Sequence, residues 1–467
     1  MKRVLCFLLS LIIISSSLVA FTAYALIRES DNVTFTLIDE WGDNSLLEGI
    51  TSEMQFTHHN QLNWTVEFYP TGETKTKYDY NTFHNSNGNS SEYHGFSYPY
   101  INLSDLRHDN PELQKIFNEL FAEEYNPGDI KRRTIYFSDI YDYYPVNFDL
   151  SLPGISISWT SGNFFDEKGE YVFSGITPSR GKELLKTFND YFRIPVNNND
   201  IREISIHWGD DGNFSWRTAN RNTFGFNFFN VLADDCIYFT FPNEINTGHN
   251  EVRQLIDTSE IHGGYGIYAL PYTENDIKSE ELKTVYSIPA DATVEALSLN
   301  EKRNELYLGL HENEKFVLHV IDIATMTDKT VLELFDIDFH DYIRVEQDEN
   351  FFVFIKNDIE YNVVEISPDG TIKSSLEGTV SEETATGMNY ISSDSSFGFD
   401  GKRLVILLIK NPLYDDQSSM TIQPEISVFT KDGLSYYGKW VCSLAMPHNN
   451  FASPFVFQTG KNIIRYK

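Results

Sequence analysis

A chain of 467 residues is longer than one ordinary domain core, which implies two or three domains or one large closed architecture. Hydrophobic residues make up 41% and aromatics 15%, enough to exclude disorder over the whole length. With 36 Lys and Arg against 68 Asp and Glu, the net charge of −32 repels phosphate backbones and anionic lipid faces and argues against nucleic acid as a partner.

The chain opens "MKRVLCFLLSLIIISSSLVAFTAYALIRES", with Lys2 and Arg3 followed by no charge from Val4 to Ile27. That run is long enough at helical rise to cross a bilayer. Ala23-Tyr24-Ala25 equally fits the small-residue site of a secretory signal. Residues 1–27 are therefore expected to be a signal peptide cut near Ala25, or a transmembrane anchor formed by residues 4–27. On both readings Lys2 and Arg3 stay in the cytoplasm, and the body, 28–467, lies outside it and meets the membrane only through this segment. Without those two residues the body holds 36 − 2 = 34 basic residues against 68 acidic, or 34 − 68 = −34. Such acidity keeps an exported protein soluble; the other reading is attraction of a cation or a basic partner.

Next comes "NVTFTLIDEW", a strand with no hairpin partner nearby, then "EGITSEMQFTHHNQLNWTVEFYPTGETKTKYDY", which reads strand, turn, strand, turn, strand. The polar "HNSNGNSSEYHG" reads as a loop. Two helical inserts interrupt the strands, near 109–124 and near 179–193. In the first, Asp109 or Asn110 caps ahead of Pro111, and Leu113, Ile116, Phe117 and Leu120 form one stripe. In the second, Ser179 is the expected cap, the stripe runs through Leu184, Leu185, Phe188, Tyr191 and Phe192, and Pro195 ends the helix.

Between these helices "YFSDIYDYYPVNF" offers Tyr136, Tyr141, Tyr143 and Tyr144 for stacking against a glycan or other ligand, with ordinary packing as the alternative. Farther on, "IREISIHWGDDGNFSWRT" is a hairpin in which His207 and Trp208 are candidates for a cleft, with a packed imidazole as the favoured alternative for His207. Cys236 and Cys442 both sit inside apolar, strand-like runs, which favours two buried thiols over a disulfide.

The C-terminal half repeats itself. "NELYLGLHENEKFVLHVIDIATMTDKTVLELFD" and "NFFVFIKNDIEYNVVEISPDGTIKSSLEG" share one order of strands and turns, and Asp328 of the first answers to Asp369 of the second. A third copy runs from "KRLVILLIKN" to "EISVFTKDGLSYYGKWV", with Asp432-Gly433 at the corresponding tip. A spacing near 40 residues with four short strands per unit is what a propeller blade requires. The end, "SPFVFQTGKNIIRYK", reads as a two-strand hairpin, and pairing it with the orphan N-terminal strand would remove an exposed sheet edge. The expected fold is thus all-β: a β-propeller of about seven four-stranded blades with two short helical inserts, closed by pairing of N-terminal and C-terminal strands. The alternative is two β-sandwich-like domains dividing near residue 250.

From about Glu295 onward the turns "ISPDGTI" and "TKDGLSY" resemble those of exported bacterial propeller proteins. The resemblance implies a ring-shaped scaffold and carries over no catalytic residue.

For chemistry, "DIDFHDY" brings Asp336, Asp338, His340 and Asp341 close together, an oxygen-rich set that suits calcium, although it lacks the spacing and glycine of an EF-hand. Calcium is the one cofactor this points to; the other reading is a solvated turn. There is no HExxH, no GxSxG and no Walker-type loop. The function expected is an extracytoplasmic scaffold that binds a protein, peptide or glycan, with an envelope protein or glycan as partner and no catalysis evident in the sequence. The alternative is an exported hydrolase or lyase acting on a polysaccharide, peptide or lactone.

Overall fold

The computed structural model describes residues 12–21, 24, 35–58, 62–79, 101–102, 115, 119, 126, 128–139, 141–144, 147–148, 150–152, 155–160, 170–198, 201–208, 214–221, 228–233, 235–243, 255–273, 276–338, 341–348, 350–357, 359–367, 370–379, 396–410, 419–420, 423–442, 446–447, 456–458 and 463–466. Two compact units emerge: residues 1–92 with 343–467, and residues 93–342. Their boundaries do not fall near residue 250, where the two-sandwich alternative would divide the chain. Among the described residues seven sheets carry three or more strands, and the fold class is all-β, built of propeller-type antiparallel blades.

In the 93–342 unit the clearest blade is Thr293–Asn300, Glu305–Glu312, Lys315–Asp322 and Thr327–Asp336, paired in chain order. Asn313 and Glu314 join its middle strands with φ of 51° and 61°, the left-handed backbone a two-residue hairpin needs. The next turn rests on Asp322 rather than on Asp328. The Asp322 carboxylate accepts from the Thr325 N–H at 3.0 Å, and Met326 takes the left-handed position at φ 51°. Asp328 itself lies in the following strand.

In the other unit the same meander returns as Ile343–Gln347, Phe351–Lys356, Glu360–Ile366 and Ile372–Thr379. Its last turn is the one read from "SPDG": the Gly370 N–H donates to the Ser367 carbonyl at 2.9 Å, with Gly370 at φ 95°.

The chain ends do pair, and they do so twice within the unit that holds both. Phe35–Gly42 runs antiparallel to Gly433–Cys442, from Phe35 opposite Cys442 to Gly42 opposite Tyr436. At Gly42 (φ 89°) a Cβ would stand 2.2 Å from the Ser435 carbonyl oxygen, so the close approach needs glycine. The final residues take a different partner from the one expected. Both Val456–Gln458 and Ile463–Tyr466 pair with Ile50–His58, as Phe56 opposite Gln458 and Glu53 opposite Ile463. They therefore lie end to end on one edge of Ile50–His58 and do not form a hairpin with each other. The core of this closure includes Phe68 and Trp440, whose ring centroids are 4.6 Å apart. Full burial of a side chain such as Phe68 contributes roughly 1.5–3 kcal/mol.

The helix expected near 179–193 spans Pro178–Tyr191. Its cap is Thr177, whose Oγ1 accepts from the Arg180 N–H at 3.3 Å, and not Ser179. Pro178 explains the shift: its fixed φ suits the first helical position, which leaves Ser179 already inside. Leu184, Phe188 and Tyr191 are buried, and the Phe188–Phe192 pair continues into an aromatic core with Phe228, Phe239, Phe241 and Tyr268. The helix read near 109–124 lies mostly outside the described residues, of which Lys115 and Glu119 are helical.

Residues 12–21 are helical and exposed, and no helix among the described residues is long and apolar enough to cross a membrane. Cys236 is a free, buried thiol, so it does not bridge to Cys442, which stands opposite Phe35 in register. Burial pushes the Cys236 thiol up to about 11.

Candidate ligand-binding face

Three of the sequence candidates, Tyr136, His207 and Trp208, lie on one sheet of the 93–342 unit. Its strands are Ile130–Tyr136, Ile201–Trp208 and Phe214–Arg221, with Ile201–Trp208 in the middle. Because side chains alternate across a strand, Ile130, Arg132, Thr134 and Tyr136 fall on one face and Lys131, Arg133 and Ile135 on the other, where Arg133 is nonetheless exposed. Ile135 and Ile206 are 4% and 0% exposed, and they mark the face turned to the core. The opposite face presents Ile130 (55% exposed), Arg132, Thr134, Tyr136 (48%) and His207.

Register sets the spacing of this face. His207 stands opposite Ile130 and Tyr136 opposite Ile201, so His207 and Tyr136 occupy opposite ends of the pairing. At about 3.3 Å per residue that is roughly 20 Å. Between them Arg132 stands opposite Ser205, and Ser205 opposite Arg217. The Arg132 guanidinium lies 3.7 Å from the Glu203 carboxylate, beyond hydrogen-bond distance, with two thirds of its side chain exposed. Trp208 follows His207 and so belongs to the core-facing side. It is half-buried, and its backbone is held by Asp129 and Gly128 at 2.9 and 2.8 Å.

The remaining tyrosines are not gathered into one platform with Tyr136. Tyr144 is 6% exposed and packs in the core, and its hydroxyl accepts from the Asn197 N–H at 3.1 Å. Tyr143 donates to Glu260 Oε2 at 2.7 Å, and the Arg193 guanidinium sits 5.5 Å from its ring centre. The hydrogen bond to Glu260, with burial second, holds the Tyr143 phenol above its ordinary value. Tyr141 is half-buried, its N–H donating to the Phe137 carbonyl at 2.9 Å.

Of the calcium candidates, Asp336 ends its strand opposite Lys315. Asp338 and Asp341 close a turn on each other: the Asp338 N–H donates to Asp341 Oδ2 at 2.9 Å, and the Asp341 N–H to the Asp338 carbonyl at 3.1 Å. His340 lies outside the described residues. Among the described residues no three His, Cys, Asp or Glu side chains are grouped to hold a metal.

Three ionic clusters each draw members from more than one element of the chain. In one, Tyr286 donates to the Asp328 carboxylate at 3.0 Å, while His319 reaches Asp328 through Nδ1 (3.2 Å) and Glu312 through Nε2 (3.4 Å). Burial, and then the Asp328 charge, raise the Tyr286 phenol. In another, Arg180 bonds Asp276, Glu183, Glu280 and the Ile277 carbonyl, which locks the helix onto the neighbouring strand. In the third, buried Glu305 accepts from Arg303 (2.8 Å), Tyr307 (2.8 Å) and Lys329 (3.1 Å). Each of these groups is occupied with holding strands together. Arg132, with one long ion pair, is not.

No protein-family profile matches the chain, and no curated protein does. Among solved structures, a Lactobacillus plantarum protein is similar over 85% of this chain and 96% of its own, at 9% identity and a TM-score of 0.28. The WD40 domain of SCAP from fission yeast is similar over 89% of this chain and 82% of its own, at 7% identity and a TM-score of 0.30. The fold assignment rests on the sheets themselves.

Proposed function

We propose that this chain is an exported propeller-type scaffold that binds a ligand on the exposed face carrying Ile130, Arg132, Thr134, Tyr136 and His207. The observation that supports it is the combination, on one face of a strand, of an exposed aromatic ring, an apolar residue and an arginine whose one ion pair is longer than a hydrogen bond. Elsewhere among the described residues, Arg180 and Arg403 each spread their donors over several internal acceptors. Export is supported by Lys2, Arg3 and the uncharged run to Ile27. A glycan and peptide array probed with the wild-type protein and with Tyr136→Ala tests the reading. A ligand lost with Tyr136 supports it, and array binding identical in the two proteins sinks it. Fractionation of the cell decides export separately.

A further inference from the structure

We propose that this face takes a carboxylate-bearing polysaccharide, a refinement that rests on the binding reading above. Charge distribution carries the argument. By register Arg132, Arg217 and Arg221 occupy positions of this face together with one acid, Glu203, so its charged positions sum to 3 − 1 = +2 in a chain of −32. That local excess of base runs against a chain average of nearly two acids per basic residue. It concentrates positive potential where an acidic polymer would be drawn, while the rest of the surface repels that polymer.

The side chains favour a sugar over a plain acidic peptide. Arginine offers a planar fork to a carboxylate, and Arg132, exposed and outside hydrogen-bond distance of Glu203, has that fork to give. Two residues along the same strand and face, Thr134 offers a hydroxyl that both donates and accepts, and Tyr136 offers a half-exposed ring. Sugar hydroxyls and the apolar face of a sugar ring match those two in turn. Register sets Arg132 opposite Ser205 and Ser205 opposite Arg217, so polar residue types occupy one row of positions across all three strands, the direction an extended polymer would follow.

The test measures binding of polygalacturonate, dextran and polyglutamate to the full chain and to Arg132→Ala and Tyr136→Ala, whose unchanged melting is checked first. Expected is binding of polygalacturonate that either substitution weakens by about tenfold, Arg132→Ala through a lost charge-assisted contact and Tyr136→Ala through a lost ring contact. The same binding is expected to weaken between about 50 and 200 mM salt, with dextran unbound. Polygalacturonate binding that survives both substitutions removes the face, and with it the binding reading. Tyr136-dependent binding of dextran, or of polyglutamate in preference to polygalacturonate, keeps the face and removes the uronate ligand. Dimerisation of the wild type that Arg132→Ala abolishes, with no polysaccharide bound, overturns the proposal in favour of a second acidic copy of this chain.

Discussion

Arg403 donates from Nη1 to the carbonyl oxygen of Leu46 at 2.6 Å, across 357 positions of sequence. The same nitrogen reaches the Glu48 carbonyl at 3.0 Å, while Nε bonds Asp400 at 2.8 Å. One side chain therefore fastens the short helical turn Asn44–Leu47, just ahead of the strand Ile50–His58, to the turn that opens the strand Leu404–Lys410. Arg403→Leu leaves Asp400 and two carbonyls without this donor. A loss of about 2 kcal/mol is expected, the scale of hydrogen bonds to a charged group. Urea unfolding measures it, and a midpoint equal to wild type would show the clamp to be idle.

Acid should weaken the blade that holds Glu305. Burial alone would raise the Glu305 carboxyl, but the hydrogen bonds from Arg303, Tyr307 and Lys329 outweigh it and hold the group below its ordinary 4.5. Unfolded, Glu305 regains that ordinary value and takes up a proton first. The stabilisation is thus fully present above about pH 4.5 and is lost as pH falls toward the depressed folded value. Urea midpoints at pH 7, 4 and 3 should fall for the wild type. In Glu305→Gln the midpoint should start lower and fall less over the same window.

Much of the fold was legible because blade repeats announce themselves by turn chemistry and period-two alternation, as at Ser367–Gly370 and Gly433. Choice of partner was less legible. The orphan strand at Phe35 pointed to a pairing of the ends, but either edge of either terminal sheet would satisfy it, and "QTGKN" reads locally as a hairpin turn. Of the site, Tyr136 and His207 were visible as an aromatic and a histidine in strand-like runs. Arg132 was missed although Lys131-Arg132-Arg133 stands out in an acidic chain; charge counted strand by strand, rather than over the whole chain, would have found it. Tyr144 could not be told from its neighbours, since only the packed structure distinguishes a core tyrosine from an exposed one.

Tyr286 and Asp328 should behave as a coupled pair. The Tyr286 hydroxyl is shared between both Asp328 oxygens, at 3.0 and 3.1 Å, and joins the strand Lys283–Ser287 to Thr327–Asp336 of the next sheet. Tyr286→Phe is expected to cost about 1 kcal/mol and Asp328→Asn a similar amount. The double variant should cost clearly less than their sum, because one interaction is removed twice. Strict additivity in unfolding experiments would mean that the contact contributes nothing between the two sheets.

The last strand should be sensitive to a single methyl group. Gly398 lies in the strand Ser396–Phe399, and a Cβ there would stand 2.8 Å from both Ile464 Cγ2 and the Tyr466 hydroxyl. The Tyr466 hydroxyl is buried, and burial raises the phenol, so the hydroxyl end of the ring has little room to retreat. Gly398→Ala therefore has to push the strand Ile463–Tyr466 away from its place beside Ile50–His58. Overpacking of this kind costs typically 1–3 kcal/mol. Hydrogen exchange gives the sharper readout: amides of 463–466 and of 50–53 should lose protection in Gly398→Ala while those of the blade 293–336 do not. Tyr466→Phe in the same background relieves the contact with the hydroxyl and is expected to restore part of that protection. Equal protection in all three proteins would show that the C-terminal strand does not depend on the missing side chain at Gly398.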